Sequence, residues 1–360
     1  MEDKYWLWLS SIHGIGARRC YELISSFGSP YEVWKADKAS LKSVKGIGDH
    51  LAELITSFQR QEYLDSLLKS IETNKIEYVI IDSDDYPQNL KNIYDPPPVL
   101  YYKGKLPKED YNTIAIVGSR YTTSYGRRVA FELSQQLSMN KFVIVSGMAR
   151  GIDTLAHKGA LNADGITIAV LGSGLDIIYP PENTKLAQAI TEKGAIVSEY
   201  CPGTEPYGGN FPARNRIISG LSDGVLVVEA GKRSGSLITC DFALEQGREI
   251  FAVPGPITSS LSTGTNNLLK EGACLVQDIN DILEEFGIGD ICTSKQQSMN
   301  NVFNDDERAI LQQINENGTT IDHIIANIQM PVSKINYILS LLEIKGIIKQ
   351  LPGKIFIKSF

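Results

Sequence analysis

The sequence predicts an α/β protein built on a doubly wound, Rossmann-like parallel sheet, with an N-terminal helical domain and a C-terminal winged helix. From Asn112 onward, apolar runs of strand length alternate with stretches of helical periodicity, which is typical of a largely parallel sheet covered by helices on both faces. The runs are TIAIVGS, FVIVSGM, TIAVLGSG, AIVSEY, GVLVVEA, EIFAVPG and ACLVQD. A duplicated glycine motif before them and a helix-rich segment after them predict the two flanking domains.

The N-terminal domain, residues 1–70, contains an internal duplication. The segments IHGIGARRCYELI (12–24) and VKGIGDHLAELI (44–55) share an apolar-x-Gly-apolar-Gly hairpin followed by an amphipathic helix. In helix-hairpin-helix or SAM-like domains, such a hairpin turns backbone N–H groups toward a DNA phosphate at the helix N-terminus. The alternative is a small helical bundle whose glycines only close tight turns, since Asp49 at the second hairpin would repel an anion.

The C-terminal domain, residues 305–360, follows a polar linker at 287–304 and has the pattern of a winged helix, with three short helices and a β-ribbon. Thr320 is a suitable N-cap for the second helix, and Pro331 can open the third. The third helix offers few polar side chains for reading a major groove. DNA binding and protein interaction therefore both stay open for this domain.

Composition and charge limit the kinds of partner. The 360 residues carry a formal net charge of −7, so a nucleic-acid site has to be a local patch within an acidic envelope. Five well-separated cysteines without a C-x-x-C pair predict reduced thiols and no structural zinc. The N-terminal apolar run is too short to predict a signal peptide, and no stretch approaches the ~20 apolar residues that span a bilayer. We therefore expect a cytoplasmic protein without a membrane partner.

The segment FPARNR contains two arginines and lies shortly before a predicted strand. Pro212 can open a short helix that carries the polar side chains Arg214, Asn215 and Arg216. The apolar run Gly224–Glu229 then fits a buried parallel strand. Ligands of open α/β sheets bind beyond the carboxyl ends of the strands, where forked guanidinium groups suit phosphate. We therefore expect an anionic, phosphate-bearing ligand at this edge.

The other predicted strands end in glycine-containing turns that would approach the same edge. Small residues let the backbone come close to a phosphate, while N–H groups and arginines supply donors. The residues of these turns that we assign to the site are Gly118, Ser119, Arg120, Gly147, Met148, Arg150, Gly172 and Ser173. Neither a G-x-G-x-x-G fingerprint nor a Walker A lysine is present, which disfavours a dinucleotide and a kinase-like reaction.

Groups suited to catalysis or metal binding are sparse. Asp153 and His157 lie one helical turn apart without a third ligand at a recognisable spacing, so we interpret them as a helix-stabilising pair. Glu229, near Gly235, suggests one enzymatic alternative, a nucleotide-binding enzyme such as a nucleoside-monophosphate glycoside hydrolase. The main prediction is a binding protein without catalytic residues, metal or cofactor.

The motifs resemble, in order, those of the DNA-processing protein A family (DprA, also called Smf). The matching segments are IVGSR, SGMARGIDTLAHKGAL, LGSGLDIIYPPEN, SEYCPGTEP, FPARNRIISGLSDGVLVVEA, SGSLITCDFALEQGREIFAVPG and GTNNLLKEGA. They cover most of residues 112–283, and the resemblance implies an extended Rossmann-like DNA-binding domain at 75–286. It also implies a cytoplasmic bacterial protein that binds single-stranded DNA without marked sequence preference and protects it. Such a protein would help to load the RecA recombinase in natural transformation, without catalytic turnover.

The resemblance also implies site residues and a homodimer. Arg120 of the GSR motif is the first expected DNA contact. Relatives often have lysine where this chain has Pro181 and Gly208. Either the pocket is weaker in this chain, or Lys185 and Lys232 compensate, and Lys232 therefore joins the expected site. For self-association we expect residues 264–283, because they include the last predicted strand, which suits a sheet edge. The residues assigned to that interface are Leu268, Leu269 and Leu275, and core packing is the alternative for the first two.

Overall fold

The computed structural model describes residues 3–107, 111–288, 305–314, 318–328, 330–344, 347–351 and 355–358. The chain forms two compact units, Met1–Glu285 and Phe286–Phe360. Of the predicted linker at 287–304, residues 289–304 lie outside the described ranges. No helix within these ranges is long and apolar enough to cross a membrane.

The first unit begins with six helices that contain the duplicated motif. Gly14 and Gly46 both adopt a left-handed conformation, with φ of 86° and 84°, and Gly16 and Gly48 are the N-caps of the helices that follow. The two copies therefore make the same turn, which only glycine adopts at little cost. The helices are α1 (Asp3–Ser11), α2 (Ala17–Phe27), α3 (Pro30–Lys35), α4 (Lys38–Lys42), α5 (Asp49–Phe58) and α6 (Gln61–Thr73).

A nine-stranded sheet follows within the described part of this unit, in the order β1-β2-β6-β5-β4-β3-β7-β8-β9. In this order, the seven strands from β6 through β5, β4, β3, β7 and β8 to β9 are parallel to one another. Strand β2 pairs antiparallel with both of its neighbours, β1 and β6. They are β1 (Glu77–Ile80), β2 (Val99–Gly104), β3 (Thr113–Val117), β4 (Val143–Ser146), β5 (Thr167–Val170), β6 (Ala195–Ser198), β7 (Gly224–Val227), β8 (Glu249–Ala252) and β9 (Cys274–Leu275). The predicted doubly wound sheet is confirmed, and the last strand lies at its edge.

Helices cover both faces of the sheet. They are α7 (Gln88–Lys91), α8 (Ser124–Met139), α9 (Ile152–Asn162), α10 (Thr184–Lys193), α11 (Asn210–Gly220), α12 (Gly235–Glu245), α13 (Thr263–Lys270) and α14 (Ile279–Glu285). The central strands β4, β5, β6 and β7 are buried at every position, as their uninterrupted apolar runs predict. Trp8 of α1 belongs to the same hydrophobic cluster as Val197 of β6, so the N-terminal helices share the core of the sheet.

The strand order reverses between β3 and β7. The chain adds β4, β5 and β6 on one side of β3, and then returns to place β7 on its other side. The crossover loops separate at such a reversal and leave a crevice at the carboxyl ends of the strands. The crevice lies between the turn at Gly118, after β3, and the loop that follows β7.

The second unit has the predicted winged-helix pattern. Its helices are α15 (Asp305–Gln313), α16 (Ile321–Asn327) and α17 (Val332–Ile344), and its strands are β10 (Thr319–Thr320), β11 (Ile348–Leu351) and β12 (Ile355–Lys358). The strands form a sheet in the order β10-β12-β11. Ile310, Ile324, Ile335 and Leu342 are buried in its own small core. Thr320 is the N-cap of α16, as predicted.

Candidate nucleic-acid interface

A cavity of about 330 Å³ opens at the reversal point of the sheet. It is lined by the loops after β3 and β4 and by the N-terminal parts of α11 and α12, and we call it the strand-end cavity. Of the residues assigned from the sequence, it contains Gly118, Arg120, Arg214 and Asn215. A smaller cavity adjoins it and adds Gly147 and Arg150, while sharing Arg120 and Arg214. The predicted turns after β3 and β4 thus line two adjoining cavities, whereas the turn after β5 with Gly172 and Ser173 lines neither.

Arg120 is an exposed cation without an ion pair among the described residues. Its guanidinium carbon lies 5.8 Å from the centroid of the Phe211 ring, and the Phe211 ring lies 5.5 Å from that of Tyr179. The aromatic face holds the guanidinium group by a cation–π contact and leaves its N–H edge available. By contrast, Arg150 forms a two-pronged ion pair with Glu182. Arg120 is therefore the guanidinium group of this site best placed to receive an anion.

Arg214 is buried at the floor of the cavity. Its Nη1 donates to the carbonyl oxygens of Gly147, at 2.7 Å, and of Val170. Burial lowers the pKa of Arg214 to about 10, which leaves it charged at neutral pH. A Cβ at Gly147 would lie 2.7 Å from Nη2 of Arg214, so a side chain at this position would displace the guanidinium group. The arginine thereby joins the ends of β4 and β5 and contributes positive charge from below.

Asp153 is the one carboxylate among the described residues that line the strand-end cavity. Its Oδ2 accepts a hydrogen bond from the backbone N–H of Ala149 at 3.3 Å. Burial raises its pKa to about 6, and the positive charge of Arg214 opposes that shift. Arg120 and Arg214 therefore face a single acidic group whose charge disappears below about pH 6, and the cavity is positive within an acidic protein.

The turn that carries Arg120 is held rigidly. The N–H of Ser119 donates to the carbonyl oxygen of Glu229 at 2.7 Å, and Ser119 Oγ accepts from the N–H of Tyr121 at 3.2 Å. The Glu229 carboxylate accepts hydrogen bonds from the N–H of Thr123, at 3.0 Å, and from its hydroxyl. Glu229 thus holds Thr123, the N-cap residue of α8, and does not line the cavity, although the sequence suggested an enzymatic alternative from it.

The opposite wall consists of the start of α12. Ser234 caps this helix, its Oγ accepting from the N–H of Ser236 at 3.4 Å, and Asn215 Nδ2 donates to the carbonyl oxygen of Gly235 at 3.1 Å. The hydroxyl side chain of Thr239 lies one turn further along the cavity wall. Unpaired N–H groups at a helix N-terminus attract anions, so this wall complements the arginines.

Arg216 corrects one expectation, because it does not reach the strand-end cavity. It is buried, with Nη2 2.7 Å from Glu199 Oε2 and Nε 3.1 Å from Asp95 Oδ2. Residues two apart on a helix point about 200° away from each other, so Arg214 and Arg216 face opposite sides of α11. The sequence predicted both arginines at this edge, and only Arg214 lines the cavity.

The remaining assigned residues support the loops or lie outside both cavities. Ser119, Met148 and Ser173 are buried, and the carbonyl oxygens of Met148 and Ser173 accept hydrogen bonds from the side chains of neighbouring loops. Gly172 accepts from Asn210 Nδ2 at 3.1 Å. Lys232 is exposed on the loop after β7 and is not part of the cavity lining.

His157 is not paired with Asp153, which corrects the interpretation made from their spacing. His157 Nδ1 lies 2.7 Å from Thr167 Oγ1, and that hydroxyl donates to the carbonyl oxygen of Ile144. The hydroxyl has only one proton, so Nδ1 is the donor in this contact. Burial lowers the pKa of His157 to about 3, and the imidazole is neutral. The histidine joins α9 to the sheet.

A cluster of possible metal ligands lies elsewhere. Ligand atoms of Glu249, Cys274 and Glu285 come within 4.8 Å of one another, the one such group found in the described ranges. None of the three residues lines the strand-end cavity. We assign no ion to them, because exposed acidic groups commonly meet without one.

Sequence reasoning missed several residues of the site. Phe211 lines both cavities and supports Arg120, and Tyr121 lines the larger one. Phe211 precedes Arg214 by three residues, so its place on the same face of α11 was readable from helical periodicity. Tyr121 directly follows the GSR motif, but nothing in its spacing distinguishes a surface aromatic residue from one in the core.

The sequence and the structure of this chain both match known proteins. Residues 77–287 match the family model of the DNA recombination-mediator protein A, and residues 301–354 match the DprA winged helix domain. Protein Smf of Synechocystis is 35% identical over 98% of this chain and 98% of its own length. The structure of DprA from Streptococcus pneumoniae has a TM-score of 0.68 and 37% identity, covering 78% of this chain and 97% of that one. DprA from Helicobacter pylori, whose structure is described as showing its single-stranded DNA binding mode, has a TM-score of 0.54 and 33% identity, covering 59% and 97%.

Proposed function

Because this chain belongs to the DprA/Smf family of DNA recombination mediators, we propose that it binds single-stranded DNA at the strand-end cavity. The observation that carries the proposal is Arg120, an exposed guanidinium group without an acidic partner among the described residues, above the buried charge of Arg214. Guanidinium groups, helix N-terminal N–H groups and hydroxyls all suit phosphate oxygens, which are the same in every nucleotide. We therefore propose binding without marked sequence preference.

The shape of the site favours a single strand over a duplex. A cavity of about 330 Å³ admits one nucleotide of a flexible strand, whereas a stacked and paired helix would rest on its rim. The family description as a recombination mediator supports two finer proposals. We propose that the protein protects the strand, and that it helps the RecA recombinase to assemble on it, without catalytic turnover or a cofactor. Its free cysteines, Cys20, Cys201, Cys240 and Cys274, are consistent with action in the cytoplasm.

The test of this function combines binding with a search for turnover. Fluorescence anisotropy with labelled mixed and homopolymeric single strands should give similar affinities that weaken as salt rises. Nucleoside monophosphates incubated with the protein should release no free base. Release of base would support the nucleotide glycoside hydrolase instead, and the absence of single-strand binding at low salt would contradict the proposal. An assay of RecA assembly on a single strand, with and without the protein, tests the partner.

Titration of Asp153 should make DNA binding depend on pH. Its carboxyl group has a pKa of about 6 in the folded protein, so it is neutral below that pH and negative above it. Lowering the pH from 7.5 to 5 removes a negative charge beside Arg120 and Arg214, and affinity should rise about fivefold through this group. The Asp153→Asn variant is neutral throughout and should lack that component. Equal pH dependence of the two proteins would contradict the prediction.

We propose that the protein self-associates through the edge that contains β9. Leu268 is buried, and Leu269 packs against the main core, so core packing explains both. Leu275 differs, because 46% of it is exposed on the edge strand. In the described residues no strand covers the outer side of β9, and symmetric pairing would satisfy an open edge of this kind.

Charge at this edge should separate the protomers. The Leu275→Glu variant is expected to be a folded monomer by light scattering at micromolar concentration. It should bind a short oligonucleotide as the parent does and a long one more weakly, because two linked sites increase avidity. The matched control is Leu244→Glu, a change at an exposed leucine of α12 that should leave the assembly intact. A monomeric parent protein would contradict the proposed interface.

A further inference from the structure

Two tyrosines project into solvent beside the strand-end cavity. Tyr121, which lines it, is 86% exposed, and Tyr207, adjacent to the cavity residue Gly208, is 73% exposed. Neither ring has an aromatic or cationic partner among the described residues, whereas Tyr179 packs against Phe211 and the hydroxyl of Tyr125 donates to the carbonyl oxygen of Pro254. Rings of this size are normally at least half-buried, so these two are available for a ligand.

Hydrogen bonds fix the backbone at both tyrosines. Ser119 Oγ bonds to both the N–H and the carbonyl oxygen of Tyr121. The carbonyl oxygen of Tyr207 accepts from the N–H of Asn210 at 3.0 Å, at the start of α11. Cε1 of Tyr207 would lie 3.0 Å from a Cβ at Gly209, so the ring rests over that glycine. The backbone that carries the two rings is therefore held beside the cavity, and binding a ligand costs little ordering of the loops.

The chemistry around the rings identifies the ligand. Arg120 follows the rigid turn and directly precedes Tyr121, so a phosphate at the guanidinium group places an adjoining base near that ring. Base–aromatic stacking tolerates every base, because each has a π-face. We propose, on the premise of the single-strand function above, that Tyr121 and Tyr207 are stacking platforms for bases on either side of a phosphate bound at Arg120. The alternative is that the two rings form an apolar surface for a protein partner, but this would not explain the unpaired cation of Arg120 beside them.

Stacking differs from phosphate contacts in its response to salt. It releases no counterions, so it adds affinity without steepening the decline of binding with salt. Gly208, beside Tyr207, carries no charge at this rim. The tyrosines would supply affinity at the rim without a cationic side chain. Removing a ring should lower affinity at every salt concentration by the same factor.

The experiment compares normal and abasic strands. The probe is a fluorescently labelled oligothymidylate, together with a strand of the same length made of abasic sites. Tyr121→Ala and Tyr207→Ala are each expected to weaken binding of the normal strand by about tenfold with an unchanged salt slope. Neither variant should alter binding of the abasic strand, and Tyr121→Phe and Tyr207→Phe should bind as the parent does. The matched control is Tyr94→Ala, since Tyr94 is 81% exposed but lies outside the cavity and packs under Arg18.

Each outcome bears on one proposal or on both. Equal affinity of the parent and both alanine variants for oligothymidylate would overturn the stacking proposal and leave the proposed function intact. An equal loss on the abasic strand would also overturn it, because the rings would then act on the backbone. A parent protein that binds neither strand would overturn both proposals. Circular dichroism confirms that the variants fold, as expected for exposed side chains.

Discussion

Replacing Arg120 by alanine is expected to weaken single-strand binding by about tenfold to a hundredfold for every sequence alike. The guanidinium group is exposed, rests on Phe211 and has no carboxylate partner in the described residues, so its charge is available to a phosphate. A charge-assisted hydrogen bond of this kind is worth roughly 1.5–3 kcal/mol, which corresponds to that range of affinity. The slope of log affinity against log salt should fall by about 0.7, the value for one phosphate contact on a single strand.

The matched control is Arg150→Ala in the adjoining loop. Arg150 is also an exposed arginine of the site, but Glu182 already neutralises it through two hydrogen bonds. Its removal should change affinity less than that of Arg120 and leave the salt slope closer to that of the parent. Anisotropy titrations at several salt concentrations measure both quantities. If Arg120→Ala binds mixed and homopolymeric strands as the parent does, the cavity is not the phosphate site.

Replacing Arg216 by methionine should lower the free energy of unfolding by about 3 kcal/mol. Arg216 lies on the same helix as Arg214, but it does not line the cavity. Burial opposes its charge, but Glu199 and Asp95 outweigh that effect and hold the pKa of Arg216 above its ordinary value. Methionine fills a similar volume and leaves the two carboxylates without a cation. Glu199 is mostly buried, so its unpaired charge is costly.

Urea denaturation measures this loss, and the folded variant should keep single-strand affinity near that of the parent. The control is Arg128→Met on the outer face of α8, where the ion pair with Glu132 is exposed and worth less than about 1 kcal/mol. A stable Arg216→Met protein with weakened DNA binding would reverse the assignment. Arg216 would then be a ligand contact, and the ion pair would have little structural importance.

The fold was largely predictable, because local periodicity decides which side chains are buried. Uninterrupted apolar runs can only be satisfied between two layers of helices, and this explains why β4, β5, β6 and β7 were recognised. The glycine repeat was equally readable, since Gly14 and Gly46 occur at the same place in two similar segments. The site was predictable as a location, because the carboxyl ends of parallel strands share one edge.

The sequence by itself therefore determined the layers of the fold, the edge at which the candidate site lies and the arginines close to it. Only the tertiary structure decided the role of each arginine. Arg214 and Arg216 have the same charge and lie two residues apart on α11, yet one lines the cavity and the other is paired with Glu199 and Asp95. Helical rotation separates their directions, but the partners of Arg216 come from the loop before β2 and the loop after β6, and Asp95 in particular is distant in the chain. Charge is a property of the residue, whereas its availability to DNA depends on which distant carboxylates the fold brings within reach.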